Sequence, residues 1–278
     1  ANAYVQPLMS RYLTKLDEAL QSMGFMCPFL LMTSGGGLTT LDTSIKFPVR
    51  LVESGPAGGA ILATEIAKEC GIDNVLSFDM GGTTAKICLI DDYTPQMTRT
   101  FEVARVYRNL KGSGLPLRIP AIEMVEIGAG GGSIAKVDDM KRISVGPESS
   151  GASPGPACYG QGGLDATVTD ADVILGRIDP KDFAGGAVKL APEKADLVLQ
   201  KAVGDQLSLD SSLSAFGVSE IVDENMANAA RVHAIEWGKD ISARSMIAFG
   251  GAAPLHALRL AEKLDINKVI NLFLGFFY

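Results

Sequence analysis

Hydrophobic positions along the chain follow two spacings. In some segments they recur every three or four residues, as on one face of a helix, and in others they form short runs, as in buried strands. The helical spacing predicts helices at residues 5–23, 54–69, 169–176, 192–203, 213–238 and 254–264, with Thr169-Asp170 as the N-cap of the third. The short runs predict strands at residues 28–32, 74–77, 85–90, 99–106, 119–127, 245–249 and 268–271. This mixed order indicates an α/β protein.

The most informative turn lies between two of these strands and reads Phe78-Asp79-Met80-Gly81-Gly82-Thr83-Thr84. Two apolar runs joined by a glycine-rich turn predict a hairpin. Glycines let backbone N–H groups approach an anion closely. The hydroxyls of Thr83 and Thr84 can donate to phosphate oxygens, and Asp79 can hold Mg²⁺, which prefers one or two carboxylates plus phosphate oxygens. The alternative is an ordinary turn, since turns are rich in Asp and Gly for local reasons.

Two further glycine-rich turns follow predicted strands. Gly128–Ser133 is one, and Gly250-Gly251-Ala252-Ala253-Pro254 is the other. The second lies between a strand and a helix, where it can let the backbone approach a nucleoside or can simply be a tight connection. Residues 145–163 form a predicted loop rich in Gly, Pro, Ser and Ala, and loops of that length are often functional.

Several other chemistries are disfavoured. The chain has no G-x-x-x-x-G-K-[ST] phosphate loop and no strand-linked dinucleotide fingerprint. Residues 151–155 match G-x-S-x-G, but Pro154 lacks the N–H that an oxyanion hole requires. Cys158 has no identifiable basic partner to activate it. The two histidines, His233 and His256, lack neighbours at metal-ligand spacing, although His256 follows a glycine turn.

Length, composition and charge narrow the class of protein further. The chain has 278 residues, which allows one large domain or two smaller ones, and 47% of them are hydrophobic. A formal net charge of -7 argues against non-specific binding to nucleic acid or anionic membranes. The four cysteines lie far apart, which indicates a reducing, cytoplasmic location. The missing initiator Met and the abrupt apolar end at 272–278 predict a fragment of a longer protein.

Six stretches together carry a family resemblance. They are residues 31–37, 53–59, 78–84, 128–133, 145–160 (Val145-Gly146-Pro147 with Gly155-Pro156-Ala157-Cys158-Tyr159-Gly160) and 249–256. Their order and spacing resemble the hydantoinase A / 5-oxoprolinase family. That family includes ATP-dependent N-methylhydantoinase A, oxoprolinase, and the related acetone and acetophenone carboxylase subunits. The resemblance covers about residues 3–269.

The resemblance implies an actin-like ATPase fold, in which two ribonuclease-H-like halves with mixed sheets and flanking helices enclose ATP and Mg²⁺. It implies an ATPase core over residues 1–271, with an N-terminal domain and its first phosphate hairpin lying outside this chain. Residues 272–278 depart from the family's pattern.

The resemblance also implies roles for individual residues. Asp79 would organise Mg²⁺ and act as the catalytic carboxylate. Gly81, Gly82, Thr83 and Thr84 would cradle the β- and γ-phosphates, and Gly250, Gly251 and Pro254 would contact adenosine. The turn at 128–133 and the loop at 150–163 would shape the substrate side.

The implied activity is that of a hydrolase subunit, which uses ATP to open a cyclic amide or imide ring of the hydantoin or 5-oxoproline type. The resemblance also implies a hydantoinase B-type partner subunit or domain. Two alternatives stay open. One is a subunit of an ATP-dependent ketone carboxylase of the acetone or acetophenone type. The other is a non-catalytic piece that needs its missing half, and we accordingly expect this chain alone to show little or no turnover.

Overall fold

The computed structural model describes residues 1–103 and 112–272. Within these residues there are eight α-helices, α1 to α8: Asn2–Ser22, Leu41–Lys46, Ser54–Cys70, Val168–Ile174, Pro192–Leu199, Asp205–Leu207, Ser211–Glu236 and Ala253–Lys263. Short 3-10 helices lie at Pro48–Leu51 and Ala157–Tyr159, and a π-helix at Gln200–Gly204 joins α5 to α6. None of these helices is both long and apolar enough to span a bilayer.

The same residues form fourteen strands. In chain order, β1 to β14 are Leu30–Met32, Leu38–Thr40, Asn74–Met80, Ala85–Asp91, Thr94–Pro95, Met97–Thr98, Phe101–Val103, Leu115–Leu117, Ala121–Ile122, Val125–Ile127, Ser133–Val137, Ile143–Ser149, Ser245–Phe249 and Val269–Asn271. The chain separates into two compact units, the first made of Ala1–Asp73 and Cys88–Met124, the second of Asn74–Ile87 and Val125–Tyr278.

The first unit combines helices α1 to α3 with short antiparallel strand pairs. Strands β1 and β2 pair with Leu31 opposite Thr39. The side chain of Asn2, at the start of α1, donates to the Lys46 carbonyl at 2.9 Å and so fastens α1 to the end of α2. Strands β6 and β9 form another pair, as do β7 and β8.

The second unit is built on a mixed sheet with the strand order β10-β4-β3-β13-β14. Strand β10 runs antiparallel to β4, with Ile127 opposite Ala85, and β3 and β4 form a hairpin. Strand β13 runs parallel to β3, with Phe249 opposite Asp79, and β14 runs parallel to β13. Three antiparallel strands followed by two parallel ones form a ribonuclease-H-like sheet. The predicted α/β class, with a mixed sheet and flanking helices, is confirmed.

The core of this unit follows directly from the apolar runs of the sequence. Strand β13 is apolar after Ser245, β3 contributes Val75, Leu76, Phe78 and Met80, and most residues of both strands are buried, which is typical of inner strands. Helix α8 packs on both strands and buries Ala253, Ala257 and Leu260. The ends of β3 and β13 are therefore held firmly, and the turns that follow them begin from a rigid base.

Some predicted boundaries are wrong. The strand at 28–32 is shorter and only partly buried. The predicted cap at Thr169-Asp170 is wrong, because Thr167 caps α4 in a capping box with Asp170. The predicted loop at 145–163 begins inside β12.

Two predicted strands between residues 99 and 127 also differ from the structure. The strand at 119–127 divides into β9 and β10, and the one at 99–106 is described only as β7. Residues 104–106 and 273–278 lie outside the described part of the chain. The prediction of a single ATPase core over 1–271 stays a prediction.

Candidate functional site

The glycine turn between β3 and β4 is confirmed as a tight hairpin connection. Strand β3 ends at Met80, β4 begins at Ala85, and the Gly81 N–H donates to the Thr84 carbonyl at 3.1 Å. Among the described residues, no atom lies within 4 Å of the position where Gly81 or Gly82 would carry a Cβ. The turn thus leaves open space beside its glycines, where a ligand can approach the backbone.

Asp79 lies near the end of β3 and is partly exposed. Burial raises the pKa of its carboxyl group, and the positive charge of Lys86 offsets part of that rise. Lys86 lies on β4, immediately after the hairpin turn, and its amino group is 3.5 Å from the Glu126 carboxylate. Since burial disfavours the charged carboxylate, a bound cation would stabilise its ionised form. Lys86 was missed in the sequence, although its position two residues after Thr84 is a usable signal.

The turn after β13 lies directly against Asp79. A Cβ at position 250 would be 2.5 Å from Asp79 Oδ1 and 2.7 Å from the Met80 carbonyl oxygen, and the backbone at Gly250 has φ +95°. Only glycine adopts that conformation easily. The N–H of Ala252 donates to the Met80 carbonyl at 2.9 Å, and Pro254 lies in the first turn of α8. The structure therefore brings the predicted phosphate hairpin and the predicted adenosine turn together.

The third glycine-rich turn, at 128–133, supports the hairpin from its backbone. The N–H of Gly131 donates to the Gly81 carbonyl at 3.0 Å, and the N–H of Gly132 donates to the Gly82 carbonyl at 2.6 Å. A Cβ at Gly130 would lie 2.6 Å from the Thr83 nitrogen. The turn thus fixes the conformation of the hairpin, while its predicted role in shaping the substrate side stays a prediction.

The environment of Cys158 disfavours a nucleophilic thiolate. The side chain is fully buried, and burial together with the nearby Asp170 carboxylate raises its pKa well above the ordinary value. Ser153 and Pro154, in the G-x-S-x-G match, lie exposed in a turn that does not lead directly into an α-helix. Neither group has the surroundings of an acyl-transfer nucleophile.

His256 occupies an environment that the sequence did not predict. It is fully buried in α8, with Asp223 of α7 and Asp172 of α4 within hydrogen-bonding distance of its two ring nitrogens. These three residues are widely separated in the sequence, so no local spacing could have indicated the cluster.

Among the described residues, no three His, Cys, Asp or Glu side chains converge in a way that could hold a metal ion by themselves. A metal at Asp79 would therefore take most of its ligands from elsewhere. Mg²⁺ commonly binds in this way, with one or two carboxylates plus the phosphates of its substrate.

The ribonuclease-H-like sheet and its glycine hairpin define an α/β domain of the actin-like ATPase class. The sequence profile of the hydantoinase/oxoprolinase family matches residues 1–276, and the chain belongs to that family. The predicted family is thereby confirmed.

Two characterised relatives illustrate the sequence match. The chain is 35% identical over 269 residues to the caprolactamase alpha subunit of Pseudomonas jessenii, covering 97% of this chain and 37% of that protein. It is 30% identical over 284 residues to the 5-oxoprolinase of Saccharomyces cerevisiae, covering 97% of this chain and 21% of that protein. The chain thus spans well under half the length of either relative.

Solved structures support the same relationship. The nucleotide-free structure of acetone carboxylase superposes with a TM-score of 0.82 at 27% identity, covering 94% of this chain and 35% of that one. The crystal structure of the ATP-dependent caprolactamase from Pseudomonas jessenii superposes with a TM-score of 0.78 at 33% identity, covering 97% of this chain and 38% of that one.

Proposed function

We propose that this chain provides an ATP-binding half of a hydantoinase/oxoprolinase-type enzyme. The observation that carries the proposal is the contact between the two turns: the Gly250 turn lies against Asp79 at the base of the open glycine hairpin. A carboxylate, a glycine hairpin with two hydroxyls and a helix N-terminus are suited to phosphate and its cation.

The residues present fit Mg-ATP. Open space beside Gly81 and Gly82 leaves room for phosphate oxygens near the backbone. In the proposal, Asp79 holds Mg²⁺, while Gly81, Gly82, Thr83 and Thr84 bind the phosphates. Gly250, Gly251 and Pro254 contact adenosine, and Lys86 adds positive charge on the same side as Asp79. Such a site acts mainly by positioning and by neutralising charge.

The proposed reaction is the ATP-dependent opening of a cyclic amide. Caprolactam and 5-oxoproline, the compounds in the names of two relatives, are both cyclic amides. Amides are poor electrophiles, and ATP supplies the phosphoryl group that turns the carbonyl oxygen into a leaving group. The contribution of this chain is to bind and orient the phosphates and to stabilise the negative charge on them.

An ATP-dependent ketone carboxylase is the second candidate. The TM-score of 0.82 with acetone carboxylase favours it, while the 35% identity with the caprolactamase subunit favours the cyclic-amide reaction. Ligands that bind next to each other can change each other's affinity, and any such change is reciprocal. We expect 5-oxoproline, hydantoin or caprolactam to shift the Kd of Mg-ATP. A shift with acetone or acetophenone, and none with the cyclic amides, would select the carboxylase.

The names of the relatives also suggest the setting in which the chain works. Caprolactamase is named as an alpha subunit, so we propose a hydantoinase B-type partner subunit or domain. All four cysteines are free thiols, two of them exposed, which suits the reducing cytoplasm.

Calorimetric titration of the folded chain with Mg-ATP, Mg-ADP and ATP in EDTA tests the proposal. We expect Mg-ATP to bind most tightly, because the site is proposed to contact the γ-phosphate and to hold the cation. We expect no substrate-stimulated ATP hydrolysis, since one half of an actin-like site is proposed to lie outside the chain. Equal affinity for ATP with and without Mg²⁺ would contradict the role of Asp79.

A further inference from the structure

A ring of polar side chains, most of them buried, joins three helices of the second unit. His256 lies near the start of α8, with its Nδ1 atom 2.7 Å from Asp223 Oδ1 on α7 and its Nε2 atom 3.2 Å from Asp172 Oδ2 on α4. All three side chains are at most 1% exposed. Groups buried this deeply are stable only when they are paired.

Arg177 and Ser219 close the ring. Arg177 Nη1 donates to Asp172 Oδ1 at 3.0 Å and to Ser219 Oγ at 2.7 Å. Ser219 Oγ in turn donates to Asp223 Oδ2 at 3.5 Å. With both carboxylates ionised and His256 protonated, the ring has two negative and two positive charges, so its net charge is zero.

A protonated imidazole, in which both nitrogens donate, satisfies both of these contacts with ionised carboxylates. Each nitrogen faces a carboxylate oxygen, and carboxylates only accept hydrogen bonds. Burial lowers the pKa of His256, but the hydrogen bonds and charges of Asp172 and Asp223 outweigh that effect and raise the pKa to about 9. Because the pKa of His256 is higher in the folded chain than its ordinary value of 6.5, protonated His256 stabilises the fold. This stabilisation is fully present below about pH 6.5 and is lost as the pH rises through about 9.

The ring lies one helical turn along the chain from the candidate site. The turn Gly250-Gly251-Ala252 leads directly into α8, which begins at Ala253. The N–H of Ala252 donates to the Met80 carbonyl, and Gly250 fits closely against Asp79. A shift at the start of α8 would therefore move this turn relative to Asp79.

We propose that protonated His256 is a positioning residue, which ties the start of α8 to α4 and α7 and thereby holds the turn Gly250-Gly251-Ala252 against Asp79. Because His256 is completely buried, it acts through the turn and touches no ligand itself. The identity of the ligand as Mg-ATP rests on the proposed function, whereas the coupling of the ring to the turn is a property of this chain alone.

Nuclear magnetic resonance tests this coupling without any ligand. The chain has only two histidines, so imidazole ¹⁵N signals are readily assigned by comparing wild type with His256→Gln and with the control His233→Gln. We expect His256 to stay doubly protonated at neutral pH and to titrate near pH 9. We expect the methyl signal of Ala252 to shift with the same midpoint, while the methyl of Ala67, in the first unit, stays constant.

Two variants, compared with the control His233→Gln, make the result decisive. Asp223→Asn removes one of the carboxylate charges that favour protonated His256, so the midpoints of His256 and Ala252 should move together to lower pH. His256→Gln should abolish the titration of Ala252, and His233→Gln should leave it unchanged. The proposal would be overturned if the Ala252 methyl signal did not change as His256 titrates, or if it still changed with the same midpoint in His256→Gln. The wild-type titration decides the question even if His256→Gln does not fold.

The Kd of Mg-ATP, measured between pH 7.5 and 10, separates this inference from the proposed function. We expect wild type and His233→Gln to lose about tenfold in affinity across that range, within the usual size of coupling between sites, and His256→Gln to be weak throughout. If Ala252 follows His256 but Mg-ATP never binds, the positioning role stands and the proposed function fails. If Mg-ATP binds with no dependence on the state of His256, the positioning role fails.

Discussion

At the scale of single residues, Gly250 shows most directly how backbone conformation sets the site. The backbone at Gly250 has φ +95°, and a Cβ there would lie 2.5 Å from Asp79 Oδ1. The position therefore has no room for a side chain. Gly251, the next residue, meets no atom within 4 Å of a Cβ among the described residues and has no such φ restriction. Two adjacent glycines therefore differ sharply in what they tolerate.

Gly250→Ala should destabilise the chain by roughly 2 kcal/mol or more. The positive φ alone costs about 1–2 kcal/mol for a residue with a Cβ, and the close approach to Asp79 and Met80 adds to it. Urea unfolding followed by circular dichroism measures the change. Gly251→Ala is the matched control and should unfold within about 0.5 kcal/mol of wild type; equal stability of the two variants would contradict the packing of this turn.

At the scale of elements, helix α4 depends on one buried carboxylate. Asp170 accepts hydrogen bonds from the N–H groups of Ala157, Cys158 and Thr167 and from the Thr167 hydroxyl. It therefore completes the capping box of α4 and also holds the 3-10 helix that contains Cys158. Asp210, which caps α7, is more exposed and accepts from the N–H of Leu213.

Asp170→Ala should cost at least about 3 kcal/mol, because it leaves several buried donors without an acceptor. Asp210→Ala should cost about 1 kcal/mol, the usual size of a lost N-cap. Chemical denaturation of both variants against wild type gives the two values. Similar losses for the two variants would show that the buried hydrogen bonds of Asp170 are not important for stability.

The elements that could be predicted are those whose signals are local. Strand β13 and the hairpin around Gly81 were predicted because apolar runs and glycine turns lie next to each other in the sequence. The cap of α4 was misplaced at Thr169-Asp170, although Thr167 and Asp170 have the spacing of a capping box, which is itself a local signal. The ring around His256 was not predictable, because its members come together only when α4, α7 and α8 pack.

At the scale of the whole molecule, burial divides the cysteines into two classes. Cys27 and Cys70 are exposed, whereas Cys88 and Cys158 are buried. Burial and the Asp170 carboxylate also raise the pKa of Cys158, which keeps its thiol protonated. The fold thus shields two thiols that the sequence alone could not distinguish from the others.

Thiol titration with a chromogenic disulfide at pH 8 should give two fast-reacting groups in the native chain and four in denaturant. Mass spectrometry of the modified protein should place the fast groups at Cys27 and Cys70. Rapid native labelling of Cys158 would contradict the buried environment described for it.

The central claim is that Asp79 and the glycine hairpin form a Mg-ATP site. The most direct test is calorimetric titration of Mg-ATP into wild type, Asp79→Asn and Asp139→Asn. Asp139 is an exposed carboxylate of the second unit, so its variant makes the same change of charge away from the hairpin. We expect wild type and Asp139→Asn to bind alike and Asp79→Asn to lose at least about tenfold in affinity, or about 1.4 kcal/mol. Equal binding by all three folded proteins would contradict the claim.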